Sequence, residues 1–255
     1  VFMTKSDIIL SNDERLDEIN ENLTIIQRAG GLTFGTDAYL LAAFVKRCGR
    51  AAELGTGTGV ASLLCLTKNR ADSVYAFEIQ KDFASLATRN AGINGLSERM
   101  RVIEKDVRDA VQSDTDGAVD TVFSNPPYMK AGGGFSSKND EMNTARRELN
   151  GSICDFCAAA SRLLRHGGLF YTVWRPDRLC DLICALREAD IEPKRMVTVY
   201  PDTKTKPCLV LIESKRGASP TLIQSRPLII YRENTRKYTE DMQMVYDSFS
   251  LEHLF

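Results

Sequence analysis

The segment Glu53-Leu54-Gly55-Thr56-Gly57-Thr58-Gly59 restricts the fold more than any other. Three glycines alternate with threonines between a short apolar run, Ala51–Leu54, and a helix-forming run, Val60–Lys68. Glycine tolerates positive φ and lets a ligand come close to the backbone, so such a turn at a strand-to-helix junction suits a bound ligand. No Gly-Lys-Ser/Thr follows, which excludes a phosphate P-loop. The glycines run G-x-G-x-G, which departs from the dinucleotide fingerprint. Glu78 comes 19 residues after Gly59, at the end of the next strand-like run, Val74–Glu78. A carboxylate there can accept from both hydroxyls of a ribose, so a nucleoside ligand is expected. An NAD site and a tight turn without ligand are the alternatives. Asp106 follows the third run and suits a group accepting from an adenine amine, or a turn cap.

From residue 51 onward, strand-length apolar runs alternate with helical periodicity. Strands are expected at 51–54, 74–78, 100–104, 121–124 and 169–174, and helices at 60–68, 82–94, 153–164 and 177–189. Arg195–Tyr200 and Cys208–Glu213 read as a hairpin. The pattern predicts an α/β fold, a doubly wound and mostly parallel seven-stranded sheet with one antiparallel strand. Upstream, Leu23–Gln27 reads as a strand and Asp37–Cys48 as a helix capped by Thr36 or Asp37. Residues 1–50 are expected to form a segment packed on the catalytic domain at 51–214, with a basic C-terminal extension at 215–255. Within that extension, Leu228–Tyr231 suits a further strand or an extended arm. The acidic stretch from Asp7 to Glu21 reads as a solvated face.

Composition narrows the chemistry. The chain has 255 residues, 43% of them hydrophobic, which is ordinary for a folded domain. No run approaches the roughly 18 apolar residues of a spanning helix. Lys5 and Asp7 keep the first ten residues from reading as a signal peptide. Seven cysteines, an odd number, suit a reducing cytoplasm better than a disulfide scaffold. His166 and His253 are the two histidines, too few for a histidine metal site or a conveniently placed triad, so no metal is expected.

Ser124-Asn125-Pro126-Pro127-Tyr128 follows the fourth expected strand, at the edge where open α/β sheets bind ligands. Two prolines stiffen the backbone and remove two donors. The Pro126 carbonyl and the Asn125 side-chain carbonyl then offer two acceptors to a planar amine, and Tyr128 offers a ring to stack on it. Accepting both N–H bonds localises the nitrogen lone pair, so the amine can attack a sulfonium methyl group in line. Proximity and preorganised dipoles carry the rate, and no strong base is required. The alternative is a rigid turn with a core tyrosine.

Together these residues resemble class I S-adenosylmethionine-dependent methyltransferases that act on amino nitrogens. More narrowly, they resemble the bacterial family of valine-tRNA adenine-N6 methyltransferases. The likeness runs from about Leu16 to Glu213, and its narrower marks are Ile26-Gln27, Phe34-Gly35-Thr36-Asp37-Ala38 and Ala145-Arg146-Arg147-Glu148. It implies a Rossmann-like fold and S-adenosylmethionine as cofactor, held by Gly55, Gly57, Glu78 and Asp106, with Thr36 and Asp37 close to the methionine part. Glu53, Thr56, Gly59 and Asn125 complete the expected cofactor set. Asn125, Pro126 and Tyr128 are the expected catalytic residues. Pro127, Tyr128, Lys130, Arg146 and Arg147 are the expected substrate contacts, and Arg147 stands where the family often has a histidine.

The same motif serves enzymes that act on guanine N2 and on a protein glutamine N5. Against the glutamine enzymes, the glycine turn arrives early. Against DNA enzymes, about 40 residues remain after Glu213. Against ribosomal guanine enzymes, no second glycine turn is present. A small RNA, tRNA first, is therefore the expected acceptor of a monomer or weak dimer with no membrane partner. A catalytically idle RNA-binding factor is the reading from another class. Between Lys194 and Lys237, ten basic residues stand against Asp202, Glu213 and Glu233, a possible phosphate footprint, with Tyr231 and Tyr238 as base-stacking candidates. The Lys130–Arg147 stretch is expected to act as a lid. Cys154, Cys157, Cys180 and Cys184 read as buried small hydrophobes, Trp174 as core or pocket wall, and His166 as a helix-end cap.

Overall fold

The computed structural model describes residues 8–29, 35–127 and 151–255. A hairpin of β1 (Glu14–Asn20) and β2 (Leu23–Arg28) comes first, followed by helix α1 (Thr36–Phe44). The alternating region then runs β3 (Cys48–Leu54), α2 (Val60–Thr67), β4 (Ala71–Glu78), α3 (Lys81–Ile93), β5 (Met100–Glu104) and β6 (Val119–Ser124). It continues through α4 (Ile153–Leu163), β7 (Leu164–Trp174), α5 (Leu179–Glu188), β8 (Ile191–Tyr200) and β9 (Leu209–Arg216). Two short strands, β10 (Ile223–Gln224) and β11 (Leu228–Ile229), precede helix α6 (Glu240–Ser248).

The main sheet has the order β10-β8-β9-β7-β6-β3-β4-β5, with β11 also paired to β8. Only β9 runs antiparallel to its neighbours β7 and β8. The seven expected strands are present as β3–β9, each of five residues or more, and the two-residue strands β10 and β11 add to them. Chain order reverses between β3 and β6, so the crevice beyond their carboxyl ends is the topological switch point where such sheets take ligands.

Alternation along the central strands splits the core into two layers. Ala51, Phe123, Tyr171 and Leu211 face the layer of α1, α2, α3 and α6. Ala52, Val122, Phe170 and Ile212 face α4 and α5. Residues beyond β9 belong to the first layer: Leu228, Met242, Val245, Phe249 and Leu254 are all buried there.

Several expectations are corrected. The acidic stretch 14–20 is strand β1 rather than a simple solvated face; Glu14 pairs with Arg89 at 2.6 Å and Asp17 accepts from Gln27 at 2.9 Å. His166 does not cap a helix: the chain passes from α4 directly into β7, which contains it. Cys157 is buried, but Cys154, Cys180 and Cys184 are exposed. Trp174 is buried as expected, with its indole N–H donating to the Arg178 carbonyl at 2.9 Å. No helix among the described residues is long and apolar enough to cross a membrane.

The hairpin reaches the main domain through two asparagines that the sequence did not single out. Asn90 on α3 and Asn94, its C-cap, sit one helical turn apart. Asn90 accepts from the Ile26 N–H at 2.7 Å and donates to the Ile26 carbonyl at 3.1 Å. Asn94 makes the same pair with Thr24, at 3.1 and 2.7 Å. A helix rises about 6 Å in four residues and a strand about 7 Å in two, so i, i+4 amides match i, i+2 peptides and complete the edge of β2. The Asn90 amide also donates to the Thr58 carbonyl at 2.9 Å, tying hairpin, helix and glycine turn together.

Candidate functional site

The turn after β3 folds as its glycines require. Gly55, Gly57 and Gly59 all have positive φ, at 72, 57 and 87°. At Gly59, the N-cap of α2, the conformation is what calls for glycine; a Cβ would also come within 2.8 Å of the Met100 methyl group, which would have to shift. At Gly57 a Cβ would meet nothing within 4 Å, which leaves conformation as the reason for glycine and the space open to a ligand.

Two carboxylates brace this turn. Glu53 is 3% exposed, and one oxygen, Oε2, accepts from the Thr56 hydroxyl at 2.5 Å, the Ser62 N–H at 3.2 Å and the Ser62 hydroxyl. Burial pushes its carboxyl up to about 7, against the downward pull of those donors. Glu78 ends β4 with Oε2 accepting from the Gly57 N–H at 2.8 Å and Oε1 from the Gln80 N–H at 2.9 Å.

The cleft has two lobes. The smaller, about 190 Å³, is lined by Gly55, Gly57, Glu78, Ile79, Phe83, Asp106, Val107, Asn125, Pro127 and Phe156 among others. The larger, about 490 Å³, adds Gln27, Gly35, Asp37, Ala38, Glu53, Thr56 and Val60. Gly55, Gly57, Phe83 and Asn125 line both. Together the lobes fall in the size range of small-molecule sites, roughly 300–1,000 Å³. Acidic acceptors, glycine backbone and apolar walls from Ile79, Phe83 and Val107 form a set that fits an adenine nucleoside.

Most expected cofactor residues therefore meet in one place. Thr36 opens α1 between Gly35 and Asp37, though it is not itself a described lining residue. Gly59 caps α2 behind the turn. Asp106 lines the smaller lobe, but its carboxylate is engaged by Arg108: one oxygen accepts from the Arg108 N–H at 2.8 Å and the guanidinium lies across both. That hydrogen bonding holds its carboxyl below the ordinary carboxylate range.

Asn125 follows β6 at the switch point. Its Nδ2 donates to Oδ2 of Asp37 at 3.0 Å, joining residues 88 positions apart. Pro126 is buried and Pro127 exposed at the mouth of the smaller lobe. Tyr128, Lys130, Arg146 and Arg147, with the stretch expected to act as a lid, lie outside the described residues.

The sequence missed Ile79, Phe83 and Phe156 as cleft walls. One signal was available: Ile79 is a large apolar residue directly after the carboxylate of β4 and remains 37% exposed. The two tyrosines expected to stack on bases instead stack on each other, Tyr231 on Tyr238 at 5.5 Å. Tyr238 then meets Tyr246, and Tyr246 meets Tyr39 of α1, so the rings form a ladder in which Tyr238 remains 37% exposed.

A crevice suited to a nucleoside at the switch point of a β5-β4-β3-β6-β7-β9-β8 sheet, with β9 alone antiparallel, is that of the Rossmann-like methyltransferase class. The chain belongs to the methyltransferase small domain family, which its residues 28–183 match, and S-adenosylmethionine is its methyl donor. It is 26% identical over 219 residues to a tRNA1(Val) (adenine(37)-N6)-methyltransferase of Parabacteroides distasonis, covering 85% of this chain and 90% of that protein. A protein of the same name from Aeromonas hydrophila is 29% identical over 187 residues, covering 72% of this chain and 76% of its own. Among solved structures, a predicted O-methyltransferase from Agrobacterium tumefaciens superposes with a TM-score of 0.64 at 21% identity, covering 84% of this chain and 97% of that one.

Proposed function

We propose that this enzyme methylates the N6 amino group of an adenine in tRNA. One observation carries the reading: Asn125, at the end of β6 and directly before Pro126 and Pro127, lines both lobes of the donor cleft, so the residue suited to hold a planar amine stands where the methyl group is carried. The names of the relatives above support the same acceptor. When bound, S-adenosylmethionine supplies an electrophilic methyl group. Glu78 accepts from the ribose hydroxyls, and Asp106 lies within the lobe that takes the base. The Asn125 carbonyl and the Pro126 carbonyl accept the two N–H bonds of the target amine, Tyr128 stacks on its ring, and the amine proton leaves after transfer. Lys130, Arg146 and Arg147 contact the acceptor strand. A cytoplasmic location goes with this reading.

Charge placement supports an RNA acceptor. β8 and β11 run parallel to β6, so their carboxyl ends face the same edge as Asn125. Lys204 and Lys206 in the turn after β8, and Arg232, Arg236 and Lys237 in the turn after β11, stand on that edge. On that edge Lys204 pairs with Glu233 at 3.4 Å and Arg232 with Glu240 at 3.8 Å, and four of the other basic residues of the segment are engaged away from it, Arg226 with the His253 carbonyl at 3.1 Å. Arg195 is buried in an ion cluster, Lys194 donates to Ser219 and Thr221, and Arg216 donates to the Leu164 carbonyl.

The test is transfer from labelled S-adenosylmethionine to total small RNA, followed by nucleoside analysis. Label in N6-methyladenosine is expected. Label in another nucleoside overturns the adenine assignment, and label in a protein fraction alone overturns the RNA assignment in favour of glutamine. Asn125→Ala is expected to lower turnover by about a hundredfold or more.

A further inference from the structure

We infer that Asp37 is a positioning residue that sets the orientation of the Asn125 amide for the acceptor amine. This rests on the role proposed above for Asn125. A carboxylate can only accept hydrogen bonds, so the amide of Asn125 must turn its NH₂ toward Asp37. The 3.0 Å contact from Nδ2 to Oδ2 is that arrangement. The amide is planar, so once Nδ2 faces α1 the carbonyl oxygen is directed to the other side. A side-chain amide without such a neighbour can rotate by half a turn and present a donor to an amine that needs an acceptor.

The carboxylate is itself fixed. Its second oxygen, Oδ1, accepts from the Ala38 N–H at 2.9 Å, in the first turn of α1, where a negative charge is favourable. Gly35 leaves the room it needs: a Cβ there would lie 2.3 Å from Oδ1. α1 is rigidly seated, with Leu40, Leu41, Phe44 and Val45 fully or almost fully buried and Tyr39 against the rings of Tyr246 and Phe249. Asp37 thus stands on one immobile element and Asn125 at the end of another. The bond between them fixes both the position and the sense of the amide. Lining the larger lobe also makes Asp37 a possible contact of the donor, and the two roles differ in what they control.

Kinetics separate them. Asp37→Asn, Asp37→Ala and Gly35→Ala are compared with the wild-type chain and Asn125→Ala on the acceptor that the wild-type chain methylates, and the Kd for S-adenosylmethionine is measured by calorimetry. Asp37→Asn is close to isosteric, and Gly35→Ala displaces the carboxylate without removing it, so loss of folding in Asp37→Ala alone leaves two readable variants. Positioning predicts that kcat falls by about tenfold to a hundredfold while the donor Kd stays within about threefold. The exchange Asp37→Asn with Asn125→Asp, which restores a donor–acceptor pair in the opposite sense, recovers at least about tenfold over Asp37→Asn alone. Unchanged kcat in Asp37→Asn and Gly35→Ala overturns the inference. So does a donor Kd that weakens in proportion to the loss of kcat/KM, which would make Asp37 a donor contact. Full turnover by Asn125→Ala is a separate failure, that of the function assigned to Asn125.

Discussion

Replacing Glu53 by glutamine is expected to stabilise the fold at neutral and alkaline pH and to flatten its pH dependence. Burial is the dominant influence on this carboxyl and raises it from 4.5 to about 7; the nearby charge of Glu78 acts in the same direction, and the donors Ser62 and Thr56 act against. In the unfolded chain the group ionises near 4.5 and in the folded chain near 7. Between these values the fold retains a proton that the unfolded chain has lost. Its contribution to stability is therefore complete below the lower value and is lost as pH rises through the upper one. Each tenfold change in proton affinity is worth about 1.4 kcal/mol, so full ionisation costs the fold about 3 kcal/mol. Glutamine keeps a carbonyl to accept from Thr56 and Ser62 and carries no charge. Urea unfolding at about pH 5 and about pH 8 measures the effect. The advantage of Glu53→Gln over the wild-type chain should grow by about 3 kcal/mol across that interval. An equal difference at both pH values would refute the argument, because it would mean that Glu53 ionises in the folded chain as it does in water. A tenfold loss of donor affinity in the same variant would instead assign Glu53 a direct contact with the donor.

Three further outcomes follow from other contacts. Arg195, 9% exposed, pairs with Glu252 at 2.7 Å and Glu213 at 3.3 Å and lies 3.7 Å from the Phe255 ring centroid; Arg195→Met should cost about 3–5 kcal/mol in urea unfolding, and a loss below about 1 kcal/mol would show that Lys46, 3.0 Å from Glu213, suffices for that carboxylate. Asn90→Leu leaves the peptide of Ile26 and the Thr58 carbonyl without their partner, so a loss of about 2–4 kcal/mol and faster amide exchange at Ile26 are expected. Unchanged exchange would mean that β2 is held by other contacts. Reversing Lys206, Arg236 and Lys237 to glutamate should lower the salt slope of RNA binding by about two to three and leave the donor Kd unchanged; an unaltered slope would move the RNA to another face.

The fold was legible because its signals are local. Each strand of the parallel region is a short apolar run, and each junction is marked by glycine, proline or a carboxylate, from Glu53 through Glu78 to Asn125. Boundaries moved where polar residues carry on a ladder: β3 begins at Cys48 and β7 at Leu164, before the apolar runs that announce them. The tail was harder. Ile223–Gln224 and Leu228–Ile229 are too short to show a period, and they are strands because β8 offers them an edge. The ring ladder of Tyr231 and Tyr238 was hidden for the same reason. An aromatic among basic residues looks like a stacking platform until the partner ring, Tyr246, is brought in by α6.

The site divides along the same line. Residues next to a backbone feature were found, since a glycine turn or the end of a strand fixes their position whatever the rest of the chain does. The contacts made across the fold were not, because nothing in the spacing of Asp37 and Asn125, or of Asn90 and Ile26, shows that they meet. Those long-range bonds share a purpose that the motifs alone do not reveal. Asn90 holds the hairpin to the carbonyl of Thr58, and Asp37 reaches from α1 to Asn125, so the segment before β3 is tied both to the glycine turn and to Asn125. Parallel strands place the two motifs side by side, but strand pairing leaves a side-chain amide free to rotate. The N-terminal segment adds a contact that strand pairing does not, and a chain begun at residue 51 would keep the glycine turn and Asn125-Pro126-Pro127-Tyr128 while losing the partners of Asn125 and Asn90 in Asp37 and Ile26.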